Sequence, residues 1–110
     1  MEIRVEKSGA AALIKLSGRV DISTSPDLRN AALTLYLRGG CKNVTIDFGN
    51  VSYIDTSGLA TLIEILLSAK RQIAQLTLSG LNAKSCYLLE VNGLLGFFKL
   101  EASTREKLSA

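Results

Sequence analysis

The chain has 110 residues, 47% of them hydrophobic, and 13 basic against 10 acidic side chains give it a net charge of +3. That length and apolar content predict a single domain, residues 1–110, around one core and exclude a disordered chain. The charges are scattered, with no basic block and no interleaved aromatics, which argues against nucleic-acid binding; the complete lack of histidine removes the commonest general base and metal ligand.

Met1-Glu2-Ile3-Arg4-Val5 lacks the apolar core of a secretion signal. No apolar run approaches the roughly 18 to 20 residues that span a bilayer, so the expectation is a cytoplasmic protein with no direct membrane insertion. Cys41 and Cys86 are then expected as free thiols. Glu2 to Lys7 and Ala11 to Ser17 alternate apolar and polar residues on either side of Ser8-Gly9-Ala10, which predicts an antiparallel hairpin. Gly18-Arg19-Val20-Asp21 leaves the second strand. Ser23-Thr24-Ser25-Pro26-Asp27 then carries a helix start in two readings one residue apart. Thr24 with Asp27 resembles a capping box, and Ser25 before Pro26 fits a cap followed by proline at the first helical position.

Leu28, Ala31, Ala32, Leu35 and Tyr36 recur at helical spacing, and Gly39-Gly40 after Arg38 predicts a stop with a cation in the last turn. Val44, Ile46 and Phe48 predict a central strand, and a helix between two strands suggests a parallel crossover. A loop then delivers the chain to Asp55-Thr56-Ser57-Gly58, where a second helix begins. In it Leu59, Leu62, Ile63 and Leu66 fall at i, i+3, i+4 and i+7 and predict the buried face, opposite Thr61, Glu64, Ser68 and Arg71. Ile65 and Leu67 lie on its margins, as rim packing or as a partly apolar docking surface.

Gln75 to Ser79 reads as a strand, Asn82 as the cap of a helix over Ala83 to Val91, and Asn92-Gly93 as its end. Phe97 to Leu100 suggests a short edge strand, and Ser103 with Glu106 a capping box for a final helix. The order is that of an α/β domain with a mixed sheet.

Asp55, Thr56 and Ser57 exceed what capping requires. One of them can cap, which leaves the others to face solvent or a partner. A hydroxyl at a helix start suits phosphorylation, because the free N–H groups and the dipole accommodate an anion. The added charge, roughly −1.5 to −2, would act beside Asp55 on whatever docks there. Chemistry of the chain's own is disfavoured: there is no glycine-rich phosphate loop, and Ser57 has neither a flanking glycine-serine-glycine elbow nor a histidine to activate it. No catalytic residue, metal or cofactor is expected.

The element order together with Val51-Ser52-Tyr53-Ile54-Asp55-Thr56-Ser57-Gly58-Leu59 resembles the STAS domain of bacterial anti-sigma factor antagonists. The likeness takes in Gly18 to Asp21 and Leu81-Asn82. It implies a single α/β STAS domain, with a mixed four- to five-stranded sheet and helices packed against it, that is no enzyme. It also implies binding to an anti-sigma factor, a serine/threonine protein kinase, and release of a sigma factor to RNA polymerase. In that family the kinase switches its antagonist off by phosphorylating the hydroxyl residue after the motif aspartate, and a phosphatase reverses it. Carried over, the acceptor is Thr56, with Ser57 as second choice, and the expected partner contacts are Asp21, Asp55, Thr56, Ser57, Gly58, Leu59 and Ile65. The family's acceptor is usually serine. Threonine here also resembles STAS subunits that dock on the ATPase of lipid-transport ABC complexes, and signalling scaffolds, in which the same loop is a contact surface without phospho-switching.

Overall fold

The computed structural model describes residues 1–101. The alternating start folds as β1 (Glu2–Ser8) and β2 (Ala11–Val20), paired antiparallel across a turn in which Gly9 takes the left-handed φ of 60°. After them come α1 (Ser25–Leu37), β3 (Asn43–Ile54), α2 (Thr56–Arg71), β4 (Gln75–Ser79) and α3 (Ala83–Val91). A 3-10 turn (Leu95–Phe97) leads to β5 (Lys99–Leu100). The five strands lie in the order β1-β2-β3-β4-β5, parallel from β2 onward.

One face of this mixed sheet is apolar. Ala12, Ile14 and Leu16 of β2, Val44, Ile46 and Phe48 of β3, Leu76 and Leu78 of β4 and Leu100 of β5 are all buried. Leu28, Ala32, Leu35 and Tyr36 of α1 join the same core with Leu59, Leu62, Ile65 and Ala69 of α2. Each fully buried Leu or Ile contributes roughly 1.5–3 kcal/mol of transfer free energy, which makes this face the main source of stability. Cys41 and Cys86 are free and buried, and the Tyr36 hydroxyl donates to Gln75 O at 2.8 Å.

The strand expected to stop at Phe48 runs on to Ile54. It does so through two bulges: Phe48 and Gly49 together oppose Leu16, and Ser52 is the extra residue between the pairs Gly18–Val51 and Arg19–Tyr53. Buried positions therefore step by two up to Phe48 and by three to Val51 and Ile54. That broken period hides the second half of the strand from a search for alternation. Asp47 Oδ1 accepts the Gly49 amide at 2.8 Å, satisfying a donor at the first bulge.

Four further expectations are corrected. The buried face of α2 is turned by about a quarter of a turn: Leu59 and Leu62 are buried as expected, Thr61, Ile65 and Ser68 are buried as well, and Ile63 and Leu66 are only partly covered. The cause is that α2 must cover the sheet and also pack against α1, to which Glu64 is tied by its ion pair with Arg29. At the start of α1 Thr24 holds the N-cap position, as the capping-box reading has it and the Ser25 reading does not, but its side chain makes no capping bond. Its Oγ1 instead accepts from Asp21 N and donates to Arg19 O, each at 2.9 Å, and Ser25 Oγ donates to Asp21 O at 2.6 Å. Arg38 is the residue after the last turn of α1, which holds no cation. Phe97 belongs to the 3-10 turn, so the edge strand is two residues long. The helix expected from Ser103 lies outside the described residues.

Candidate functional site

Parallel pairing of β2 with β3 sets Val20 beside Ile54, so the turns after the two strands leave the sheet together. Asp55 N donates to Val20 O at 3.2 Å, and this bond fixes where α2 begins. Asp55 is the N-cap, extended at φ −102° and ψ −173°, and its Oδ1 accepts from Gly58 N at 3.0 Å. A cap of this kind is worth about 1 kcal/mol, and it leaves both following hydroxyls free of capping duty.

Thr56 is the first helical residue, is exposed, and its hydroxyl has no partner among the described residues. Ser57 beside it is half-buried. Gly58 lies against the sheet so closely that a Cβ there would stand 2.7 Å from Ile54 Cγ2 and 3.1 Å from Val20 O. The absence of a side chain lets the first turn of α2 rest on the strand ends. The Asp55 carboxylate is engaged with the backbone through Oδ1, and among the described residues no side chain is hydrogen-bonded to the Thr56 hydroxyl. The junction therefore presents one exposed hydroxyl at the first position of α2.

Beside Thr56 opens a cleft of about 320 Å³, lined on one side by Ser52, Tyr53, Ile54, Asp55 and Thr56 and on the other by Lys84, Ser85 and Leu88 of α3. Asn82 holds that second wall in place. Its Oδ1 accepts from Ser85 N at 2.8 Å, capping α3, while its Nδ2 donates to Val51 O at 3.5 Å. Lys84 and Leu88 are absent from the site expected from sequence. One signal marks Lys84 in the sequence: a cation in the first turn of a helix opposes the dipole and needs another reason to be there.

Asp21 stands at the mouth of the same region. Its Oδ1 accepts from Ser23 N at 3.0 Å and its Oδ2 lies 3.7 Å from Arg19 Nε, while the Arg19 guanidinium stacks 4.4 Å above the Tyr53 ring. Ile22 beside it is 75% exposed. Asp21, Asp55, Thr56 and Ser57 are thus brought together with accessible surface. Gly58 and Leu59 are buried beneath the junction, and Ile65, farther along α2 in the core, has 0% exposure, so these three present no surface in this structure. The correction for Ile65 follows from the rotated face of α2. Among the described residues no three Cys, Asp or Glu side chains cluster as metal ligands would.

A family model described as Mlab, STAS domain matches residues 3–101. The chain belongs to the STAS domain family. Curated relatives of this STAS chain include the anti-sigma-B factor antagonist of Staphylococcus aureus, 26% identical over 91 residues that cover 83% of each chain. The protein of the same name from Listeria monocytogenes is 27% identical over 88 residues, 80% of this chain and 76% of the other. Among solved structures, an anti-sigma factor antagonist from Mycobacterium paratuberculosis superposes with a TM-score of 0.78 at 18% identity, over 98% of this chain and 91% of that one. The unphosphorylated form of the antagonist SpoIIAA superposes with a TM-score of 0.75 at 15% identity, over 97% and 94% of the two chains. These likenesses show that the α/β fold is the STAS fold.

Proposed function

We propose that the protein is an anti-sigma factor antagonist. It binds an anti-sigma factor that is a serine/threonine kinase, and so releases a sigma factor; the kinase switches it off at Thr56, and a phosphatase restores it. The observation that carries this reading is the exposed, unpartnered Thr56 hydroxyl at the first position of α2, directly after a capping Asp55. The names of the curated relatives support the antagonist role. Phosphate at Thr56 would sit at the N-terminus of α2, where backbone dipoles favour it, so the fold would persist while the docking surface gained roughly two negative charges. A partner that reads Asp21, Asp55, Thr56 and Ser57 would then meet like charge or an unpaired anion at the centre of its contact.

Incubation with an anti-sigma kinase and ATP, followed by intact mass and peptide mapping, tests the switch. The expected result is a single phosphate on Thr56; protein left unmodified at both Thr56 and Ser57 would remove it. Thr56→Ala should bind the kinase and resist modification. The threonine favours one other reading, a constitutive STAS subunit of a lipid-transport ABC complex or a signalling scaffold, in which the hydroxyl itself is a contact. Equal loss of binding in Thr56→Ala and Thr56→Asp, with a transporter ATPase as the captured partner, would decide for that reading.

A further inference from the structure

The strands β3 and β4 start at the end of the domain farthest along the sheet from Thr56, and there an apolar and basic surface is assembled that the switch does not use. Ile73 is its most exposed member, at 91%, and takes a φ of 53°, a left-handed conformation that glycine or asparagine normally supplies at a helix end. Its backbone closes α2: Ile73 N donates to Lys70 O and Ala74 N to Ala69 O. A β-branched aliphatic chain is thereby held out into solvent at a position where it is strained and packs on nothing. Leu37, 59% exposed, and Leu67, 46% exposed, border an adjacent groove between α1 and α2 together with Arg71 and Gln72.

Cations predominate around these side chains. Residues 37–46 and 67–78 contain Arg38, Lys42, Lys70 and Arg71, all exposed, and no carboxylate. Lys42 Nζ donates to Gln72 O at 3.1 Å, which draws the α1 and α2 ends together, and Lys42 N donates to Ala10 O, which brings the hairpin tip alongside with Lys7 and with Glu6, itself 3.7 Å from Lys15 Nζ. Glu64 is paired with Arg29 along the same groove.

We propose that this end of the domain rests on an anionic lipid surface, with Ile73, Leu67 and Leu37 among the headgroups and the five cations over the acidic lipids. Charge complementarity selects the occupant's sign. The protruding Ile73 selects a bilayer over an acidic protein, because a bilayer yields to an isolated aliphatic side chain, whereas a protein surface must present a fitted pocket. Docking is peripheral, and it leaves Thr56 and its cleft at the opposite end, accessible to soluble partners. Basic residues held near an acidic membrane each contribute roughly a fivefold gain in partition, and the contribution fades within a Debye length as salt rises.

Sedimentation of the protein with vesicles of 7:3 phosphatidylcholine and phosphatidylglycerol, against phosphatidylcholine alone, tests this. The wild-type chain should sediment with the anionic vesicles at low salt and be released at high salt. Lys70→Gln with Arg71→Gln should lower the bound fraction by roughly tenfold or more. Ile73→Gly should weaken binding severalfold while its urea midpoint stays level or rises, since glycine relieves the left-handed strain; unfolding therefore cannot account for the loss. Equal sedimentation with both vesicle types, or binding unchanged in both variants, would overturn the proposal. So would salt-sensitive binding to polyglutamate without binding to vesicles, which would assign the surface to an acidic protein.

Discussion

Gly58→Ala sets two known effects against each other. Alanine is favoured over glycine in a helix by about 1 kcal/mol, which alone would stabilise the protein. Against this, the new Cβ would lie 2.7 Å from Ile54 Cγ2 and 3.1 Å from both Val20 Cγ1 and Val20 O. Ile54 is buried and stiff at χ1, and the Val20 carbonyl is anchored by Asp55 N, so neither neighbour yields cheaply. Overpacking of this kind costs about 1–3 kcal/mol, and the backbone contact places Gly58 toward the upper end. The net expectation is a loss of about 1–2 kcal/mol. In urea, with a slope of roughly 1–3 kcal/mol per molar, the midpoint should fall by about 0.5–1 M. Ala60→Gly, two residues on and exposed, provides the control: it should lose about 1 kcal/mol from helix propensity alone. A Gly58→Ala midpoint at or above wild type, with the Ala60→Gly loss intact, would refute the close approach of α2 to the ends of β2 and β3.

Asp55→Ala removes the cap of α2 and should cost about 1 kcal/mol in the same urea titration, with Asp55→Asn retaining most of it because the amide oxygen can still accept from Gly58 N. Thr56→Ala should leave the midpoint within about 0.5 kcal/mol of wild type, as expected for an exposed side chain, while abolishing phosphate incorporation. Stability should be level around neutral pH and fall above about pH 9. Burial raises the Cys86 thiol and the Tyr36 phenol above their ordinary 9.0 and 10.0, with Glu90 and Cys41 as respective secondary causes. Both groups are therefore protonated in folded and unfolded chains around neutral pH; as pH rises through the ordinary values the unfolded chain releases protons first and is favoured. Thermal melts from pH 7 to 11 read this out, and an unchanged midpoint across that range would contradict the burial of both groups.

The regular elements were readable wherever one face alone was covered. The bounds of β4 and α3 match expectation to the residue, because Leu76 and Leu78 alternate cleanly and Asn82 and Asn92 flank a helix of ordinary length. Reading failed where two neighbours share one element. In α2, contact with both the sheet and α1 buries Thr61 and Ser68, residues whose polarity marks them as surface, and carries Ile65 out of reach of any partner. In β3, bulges replace a period of two by steps of three. The Thr56 end of the site was visible because its residues are consecutive, whereas Lys84 and Leu88 reach it only through the link from Asn82 to Val51 across 31 positions of chain. Sequence spacing carries no trace of such a tertiary tie.

The two bulges of β3 also give that strand slack in its length. Removing Gly49 or Ser52 would take out one bulge and leave Val51 and Ile54 facing the core, so α2 would still leave the sheet on the same side. Removing Thr45 instead would turn the strand's first residues over relative to the rest and expose Val44. Chain length can therefore vary by a residue between Phe48 and Ile54 without changing the direction in which Thr56 is presented, and at no other place in the strand.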